Sequence, residues 1–356
     1  MGKKFTIGVL IGNVHTAHPK DLMRGIRAAA SGMDVNVIYF LGTQSVRFNQ
    51  KFALEDFDYQ YNTVYDYAKL AKVDVLIIAY GSLCIFQKNE DKQAFLDKFA
   101  GIPYVLLEDA TDDPRGIYVM VDNFGGMQKC VEHLIIEHHL KHLVYLGGPE
   151  DNQDAIERKA AFLNVMAEHH LPVTPEMMAV GDYSEFVDNL VEQLLKDNPD
   201  AEAIISANDE MTVACYRVCK AHGLRIGKDI LITGFDDVER ARYSNPPLTT
   251  ASQDAYKMGQ IAVEKAVDIC AGRPVESVRL DAELIIRESC GCKVTRRAKE
   301  KADEKTELLH IIDELRLFQH KSWLGPFLIR DLMQEAENEK SFYRKSGEVF
   351  YHLGIR

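Results

Sequence analysis

The chain has 356 residues, of which 46% are hydrophobic and 27% charged, with a formal net charge of −12 at pH 7. This is the composition of a folded globular protein long enough for two or three domains. No stretch approaches the ~18 apolar residues of a membrane span, and residues 1–10 lack the small-residue cleavage site of a signal peptide, so a cytoplasmic protein without a membrane partner is expected.

Short β-rich runs occur at residues 5–11, 35–40, 73–79, 104–107, 117–121, 143–146, 203–206 and 230–233. Helical patterns at 19–30, 124–138, 154–169, 184–195 and 210–221 lie between them. Strands interleaved with helices of this length predict parallel sheets built from βαβ units. Nine or ten strands are too many for one compact sheet, so two Rossmann-like lobes are expected. The chain should cross between them at Asp122-Asn123 and again near Ser252-Gln253. A helix over 255–269 then returns to the first lobe, and a third crossing lets a last strand, 283–287, finish in the second. The lobes are thus residues 5–122 with 253–280, and 123–252 with 281–292. Such a pair of lobes can close on a ligand.

The pattern changes after Cys292. Residues 293–323 read as a charged helix whose Leu308, Ile312, Leu315 and Phe318 form an apolar seam, predicting a short coiled coil. Gly325-Pro326 breaks it, and 324–356 read as the truncated start of a further domain. Residues 293–356 carry 13 Lys+Arg against 11 Asp+Glu, the remainder 29 against 43. A body that acidic repels a phosphate backbone, so direct nucleic-acid contact by it is not expected.

Seven scattered cysteines do not suggest a disulfide framework. Cys290-Gly-Cys292 is too tight for an easy bridge, and a metal site using it would need two more ligands, none of which is evident. His133, His138, His139 and His142 invite a zinc reading, with 138 and 142 one helical turn apart, but a third ligand is missing from the motif. Neither metal nor cofactor is expected.

Three runs carry the functional signal: Ser206-Ala-Asn-Asp-Glu-Met211, Gly234-Phe-Asp-Asp237 and Leu248-Thr-Thr-Ala-Ser-Gln-Asp254. Each follows a predicted strand, where ligands of open parallel sheets bind. They place Asn208, Asp236 and Gln253 there, hydrogen-bonding groups without an evident nucleophile. Asn208 offers donors and an acceptor to a hydroxyl, or else caps the following helix. Asp236 can accept from two adjacent hydroxyls. Arg158, early in the helix after Gly147-Gly-Pro149, can clamp a ligand or pair with Asp236. The chain has no Gly-x-Gly-x-x-Gly, phosphate-binding loop or Gly-x-Ser-x-Gly elbow, which argues against an enzyme.

These motifs carry a resemblance. Ser206–Met211, residues 223–230, Thr233-Gly-Phe-Asp-Asp237, Pro246-Pro-Leu-Thr-Thr250 and Gln253-Asp254 follow one another as in the effector-binding core of LacI/GalR regulators. So do Tyr145-Leu-Gly-Gly-Pro149 with Arg158, Val121–Gly126 and Arg287-Glu-Ser-Cys290. Residues 5–292 therefore resemble that family. The resemblance implies a two-lobed periplasmic-binding-protein-like fold, a homodimer, and a sugar, nucleoside or similar small effector held between the lobes. It implies ligand contact for Asn208, Asp236 and Arg158, a hinge position for Gln253, and a ring over the ligand at Tyr183. In the first lobe the loop Gly12–His18 has histidines where the family often has an aromatic loop. Asn13 and His15 are the candidates there, with Tyr80 after the 73–79 strand.

The family begins with a DNA-reading head, whereas this sequence begins at the first strand and adds a C-terminal extension. That arrangement is similar to sensors in which the same core drives a C-terminal output module such as a diguanylate cyclase. A sensor of that kind is the leading expectation, and a LacI-type transcriptional regulator whose DNA-binding head is absent from this chain is the alternative.

Overall fold

The computed structural model describes residues 4–14, 16–42, 55–84, 89–111 and 113–293. His15, the charged helix expected at 293–323 (but for its first residue) and the unit expected at 324–356 lie outside them.

The chain starts with β1 (Phe5–Gly12), α1 (Ala17–Ser31), β2 (Val35–Gly42), α2 (Glu55–Leu70), β3 (Val75–Ile78), α3 (Tyr80–Leu83), α4 (Asn89–Asp97), β4 (Tyr104–Leu107) and β5 (Gly116–Val121). Next come α5 (Asn123–Glu132), a π-helical turn (His133–Glu137), β6 (Leu143–Gly147), α6 (Gln153–Glu168), β7 (Met178–Val180) and α7 (Asp188–Asp197). The rest is β8 (Ala203–Ser206), α8 (Asp209–Ala221), β9 (Leu231–Asp236), α9 (Glu239–Tyr243), β10 (Thr249–Ser252), α10 (Ala255–Cys270), β11 (Val278–Leu280) and β12 (Glu283–Ile285).

Two six-stranded sheets result, ordered β11-β5-β4-β3-β1-β2 and β12-β10-β9-β8-β6-β7. Among the described residues every pairing is parallel except that of β12, which runs antiparallel to β10 at the edge of the second sheet. The unbroken apolar runs of β3 and β4 are buried throughout, as strands covered on both faces must be. The chain passes between the sheets three times: after β5, after β10, and between β11 and β12. Separate buried clusters fill the two lobes: Tyr145, Phe162 and Phe235 anchor the second-sheet core, while Ile7, Leu22 and Met258 lie on one face of the first sheet and Tyr65 and Phe99 on the other.

The first sheet is completed by a late helix. α10 packs on α1, and the two approach so closely that a Cβ on Gly25 would lie 1.9 Å from the Tyr256 carbonyl oxygen. A Cβ on Gly259 would lie 2.4 Å from the Leu22 carbonyl oxygen. Backbone cannot yield as a side-chain tip does, so Gly25→Ala is expected to force the helices apart. The expected cost is about 1–3 kcal/mol, read as a lowered urea midpoint with an unchanged slope.

Several elements differ from expectation for local reasons. β7 and β11 have three residues each, too few to show a period. The helix expected from 184 begins at Asp188, because Ser184 and Phe186 donate their N–H groups to the Asp182 and Ser184 side chains and hold a turn. The helix expected over 124–138 changes to a π-turn at His133.

Candidate ligand-binding site

The ends of β6, β8 and β9 and the first turns of α6 and α8 bring most of the expected residues together. Arg158 is the centre. It is 2% exposed. Its Nε donates to Asn123 Oδ1 at 2.8 Å and its Nη1 to the Ala207 carbonyl at 2.6 Å. Asp236 Oδ1 lies 3.5 Å from Nη1 and Asp154 Oδ2 3.7 Å from Nη2. The guanidinium lies 3.8 Å from the centroid of the Phe235 ring, a cation–π contact. Asn123 in turn donates to Asp154 at 2.8 Å. Burial pushes the Asp154 carboxyl up to about 7, with Arg158 opposing and Glu108, Asp109 and Asp236 adding to the rise. Burial also raises Asp236, against the pull of Arg158 and His18.

Asn208 sits before α8, where its Oδ1 accepts from Met211 N–H at 3.0 Å. Its amide nitrogen donates to the Tyr183 carbonyl at 3.2 Å, leaving one amide hydrogen. The cap and a ligand contact are therefore compatible. Tyr183 has φ +64, and its ring lies over Gly148, where a Cβ would meet it at 2.3 Å. Its hydroxyl donates to Asn152 Oδ1 at 3.4 Å. Gln253 is 4% exposed at the crossing after β10, and its Oε1 is buried with no hydrogen-bond partner among the described residues.

The first lobe contributes differently from what the sequence suggests. Asn13 has φ +50, and its carbonyl accepts from Thr16. Tyr80 is buried at the start of α3. The groups of this lobe that act electrostatically on both Asp154 and Asp236 include His18 and Glu108, neither of which the sequence pattern singles out. His18 Nε2 and Glu108 Oε1 are 2.6 Å apart, while Glu108 Oε2 accepts from the Ser82 N–H at 2.7 Å and from its hydroxyl. Glu108 directly follows β4 with φ +71. A strand end followed by Glu108-Asp109 was the available signal. Beside them Lys92 pairs with Asp109 at 2.8 Å. A cavity of about 1040 Å³ opens here, lined by Tyr80, Lys92 and Asp109 from the first lobe and by Gln153 and Glu157 from the second. Of the expected residues only Tyr80 lines it, and Arg158, Asp236 and Gln253 do not.

Burial would lower His18, but Glu108 outweighs it and raises the imidazole above its usual value. Glu108 itself is held low by His18 and Ser82 against the effect of burial. The pair's stabilisation is therefore fully present between pH ~4.3 and ~6.5, and is lost as pH rises through the raised His18 value or falls through the lowered Glu108 value. Glu108→Gln removes the strongest raising partner and leaves the weaker pull of Asp236 and Asp154. His18 is then expected to titrate lower than in the wild type, seen as a downward shift in an NMR titration of the His18 ring protons.

With this geometry in place, comparison with known proteins defines the fold. Residues 131–290 match a family described as a periplasmic binding protein-like domain. The chain is 30% identical over 216 residues to the HTH-type transcriptional regulator CelR of Thermobifida fusca, covering 58% of this chain and 62% of that protein. It is 29% identical over 198 residues to the HTH-type transcriptional repressor PurR of Aliivibrio fischeri (strain MJ11), covering 54% and 56%. Among solved structures, a CelR–cellobiose complex superposes with a TM-score of 0.66 at 23% identity, covering 80% of this chain and 84% of that one. A LacI-family regulatory protein from Chloroflexus aggregans does so with 0.64 at 25% identity, covering 80% and 98%. The fold is the two-lobed periplasmic-binding-protein-like fold, and the similar curated proteins are transcription regulators. The chain spans 56 to 62% of the length of the two curated relatives named. Among the described residues no helix is long and apolar enough to cross a membrane.

Proposed function

We propose that residues 5–292 are the effector-binding core of a LacI-type transcriptional regulator, taking a small hydroxyl-rich molecule such as a sugar or nucleoside between its lobes. One observation carries the reading. A buried, mixed-charge set on the second lobe (Arg158, Asp154, Asp236, with Asn208 beside it) faces His18 and Glu108 of the first. Such a set offers donors and acceptors to several hydroxyls at once. Gln253, with its unpartnered buried oxygen at a crossing, is suited to sense closure. An effector that binds the closed arrangement better than the open one shifts the population between them. Among the described residues the site shows no activated nucleophile, and we read it as non-catalytic.

The names of the relatives favour the regulator over the sensor with a C-terminal output module. In a regulator the acidic core itself does not touch DNA and acts as a twofold dimer; one solved protein of similar fold is a dimeric Lac repressor. Calorimetry with a panel of pentoses, hexoses, β-linked disaccharides and nucleosides tests the proposal. A saturable binder lost in Asp236→Ala is the expected result. A best binder held equally by that variant would overturn the site.

A further inference from the structure

Outside the cleft, four metal-ligating side chains converge. His133 stands at the start of the π-turn after α5, and His138 just beyond its end. Cys290 and Cys292 follow β12. Their ligand atoms all lie within 4.8 Å of one another. The expectation that the Cys-Gly-Cys run lacks partners, and that the histidines lack a third ligand, is corrected here: each pair completes the other. The reason is local. In a π-turn the hydrogen bond runs from i to i+5, so residues five apart stand over one another, and His133 and His138 share a face that an α-helix would deny them. Gly291, with φ +87 between the cysteines, lets the chain turn so that both thiols meet the imidazoles.

From this geometry we propose that His133, His138, Cys290 and Cys292 form a structural zinc site. Zinc–nitrogen bonds of about 2.0–2.1 Å and zinc–sulfur bonds of about 2.3 Å, arranged tetrahedrally, separate N from N by about 3.3 Å and N from S by about 3.5–3.6 Å. The two imidazole Nε2 atoms are 3.3 Å apart. His133 Nε2 lies 3.4 Å from Cys290 Sγ and 3.6 Å from Cys292 Sγ, and His138 Nε2 lies 3.4 Å from Cys292 Sγ. Hydrogen bonding does not explain this, because one ring nitrogen has a single in-plane direction yet His133 Nε2 has three near neighbours.

Binding releases one proton from each thiol to solvent, and two thiolates neutralise the dication, so the half-buried site carries no net charge. Four protein ligands leave no open position, which makes the metal structural. Around it, the Thr249 hydroxyl donates to Cys290 Sγ at 3.1 Å and accepts from Arg287 N–H at 2.8 Å, the outer hydrogen bonding expected of a thiolate ligand. The site ties the turn after α5 to the last described residues of the chain.

Elemental analysis of the full chain, supplied with zinc and dialysed, is expected to find one zinc ion per chain. Exchange with cobalt(II) should give the visible spectrum of a tetrahedral, thiolate-ligated ion. His138→Ala and Cys292→Ser, at partly exposed positions and checked for folding by circular dichroism, should lose metal and spectrum. Thr249→Val should keep the spectrum but weaken the metal about 10- to 100-fold in chelator competition. Absence of metal from the wild type, an octahedral cobalt spectrum, undiminished binding by folded ligand variants, or an intact mass showing a Cys290–Cys292 disulfide would overturn the proposal. Should a variant not fold, the wild-type stoichiometry and spectrum decide.

Discussion

Arg158→Met is expected to destabilise the protein by about 3–5 kcal/mol, the usual consequence of removing one partner from a buried ionic group. Methionine fills much of the volume and keeps contact with the Phe235 ring, so packing is not the main loss. What remains is a set of stranded acceptors: Asp154, Asp236, Asn123 Oδ1 and the Ala207 carbonyl, which share a single buried guanidinium. Urea unfolding followed by circular dichroism measures the loss. Repeating the substitution in an Asp154→Asn, Asp236→Asn background separates charge from packing. Because the stranded charges are then gone, the cost of removing Arg158 should fall by at least half. A cost below about 1 kcal/mol in the wild-type background would show that the network contributes little.

Asp236→Asn is expected to act in opposite directions on binding and stability. On the proposed reading, its carboxylate makes charge-assisted hydrogen bonds to the effector, and their loss should weaken binding by about 1.5–3 kcal/mol, roughly ten- to hundredfold. Without effector, the same carboxylate is a buried acid whose pKa burial raises. The native state then holds this proton more tightly than the unfolded chain. Its ionisation therefore costs stability as pH rises above the unfolded value of about 3.9. Asparagine is similar in shape, carries no charge, and tolerates the positive φ of +115 at this position better than most residues. The variant should match the wild type in acid and become relatively more stable toward neutral pH. Calorimetry and unfolding at several pH values read the two effects separately. A variant that binds normally would exclude Asp236 from the site.

The alternation of strand and helix was plain in the sequence because parallel strands such as Val75–Ile78 and Tyr104–Leu107 are buried on both faces and read as unbroken apolar runs. Asn208 and Asp236 were legible as candidates because each belongs to a run with turn chemistry at a strand end, and Arg158 because it lies early in the helix after the Gly147-Gly-Pro149 turn. His18 and Glu108 were not. His18 lies one residue before a proline in what reads as a loop, and Glu108 is the first residue past a strand. Only the fold brings them together across 90 residues. The histidine–cysteine cluster escaped for a different reason. Its two halves lie 159 residues apart at the widest, and the π-turn breaks the 3.6-residue period from which the histidines' faces were judged. β7 and β11 were missed because three residues are too few for any pattern, and their place is set by the neighbouring strand.

The threefold passage between sheets has a consequence for synthesis. The second lobe is nearly continuous, needing only β12 beyond residue 252. The first lobe is interrupted: α1 waits for α10, and β5 pairs with β11 about 160 residues later, Val119 against Val278. Emerging from the ribosome, residues 4–121 have an incomplete sheet edge and an uncovered helix until residue 280 has been made. The lobe translated first thus stays incomplete until nearly all of the second has been made, and contacts of such sequence separation form slowly.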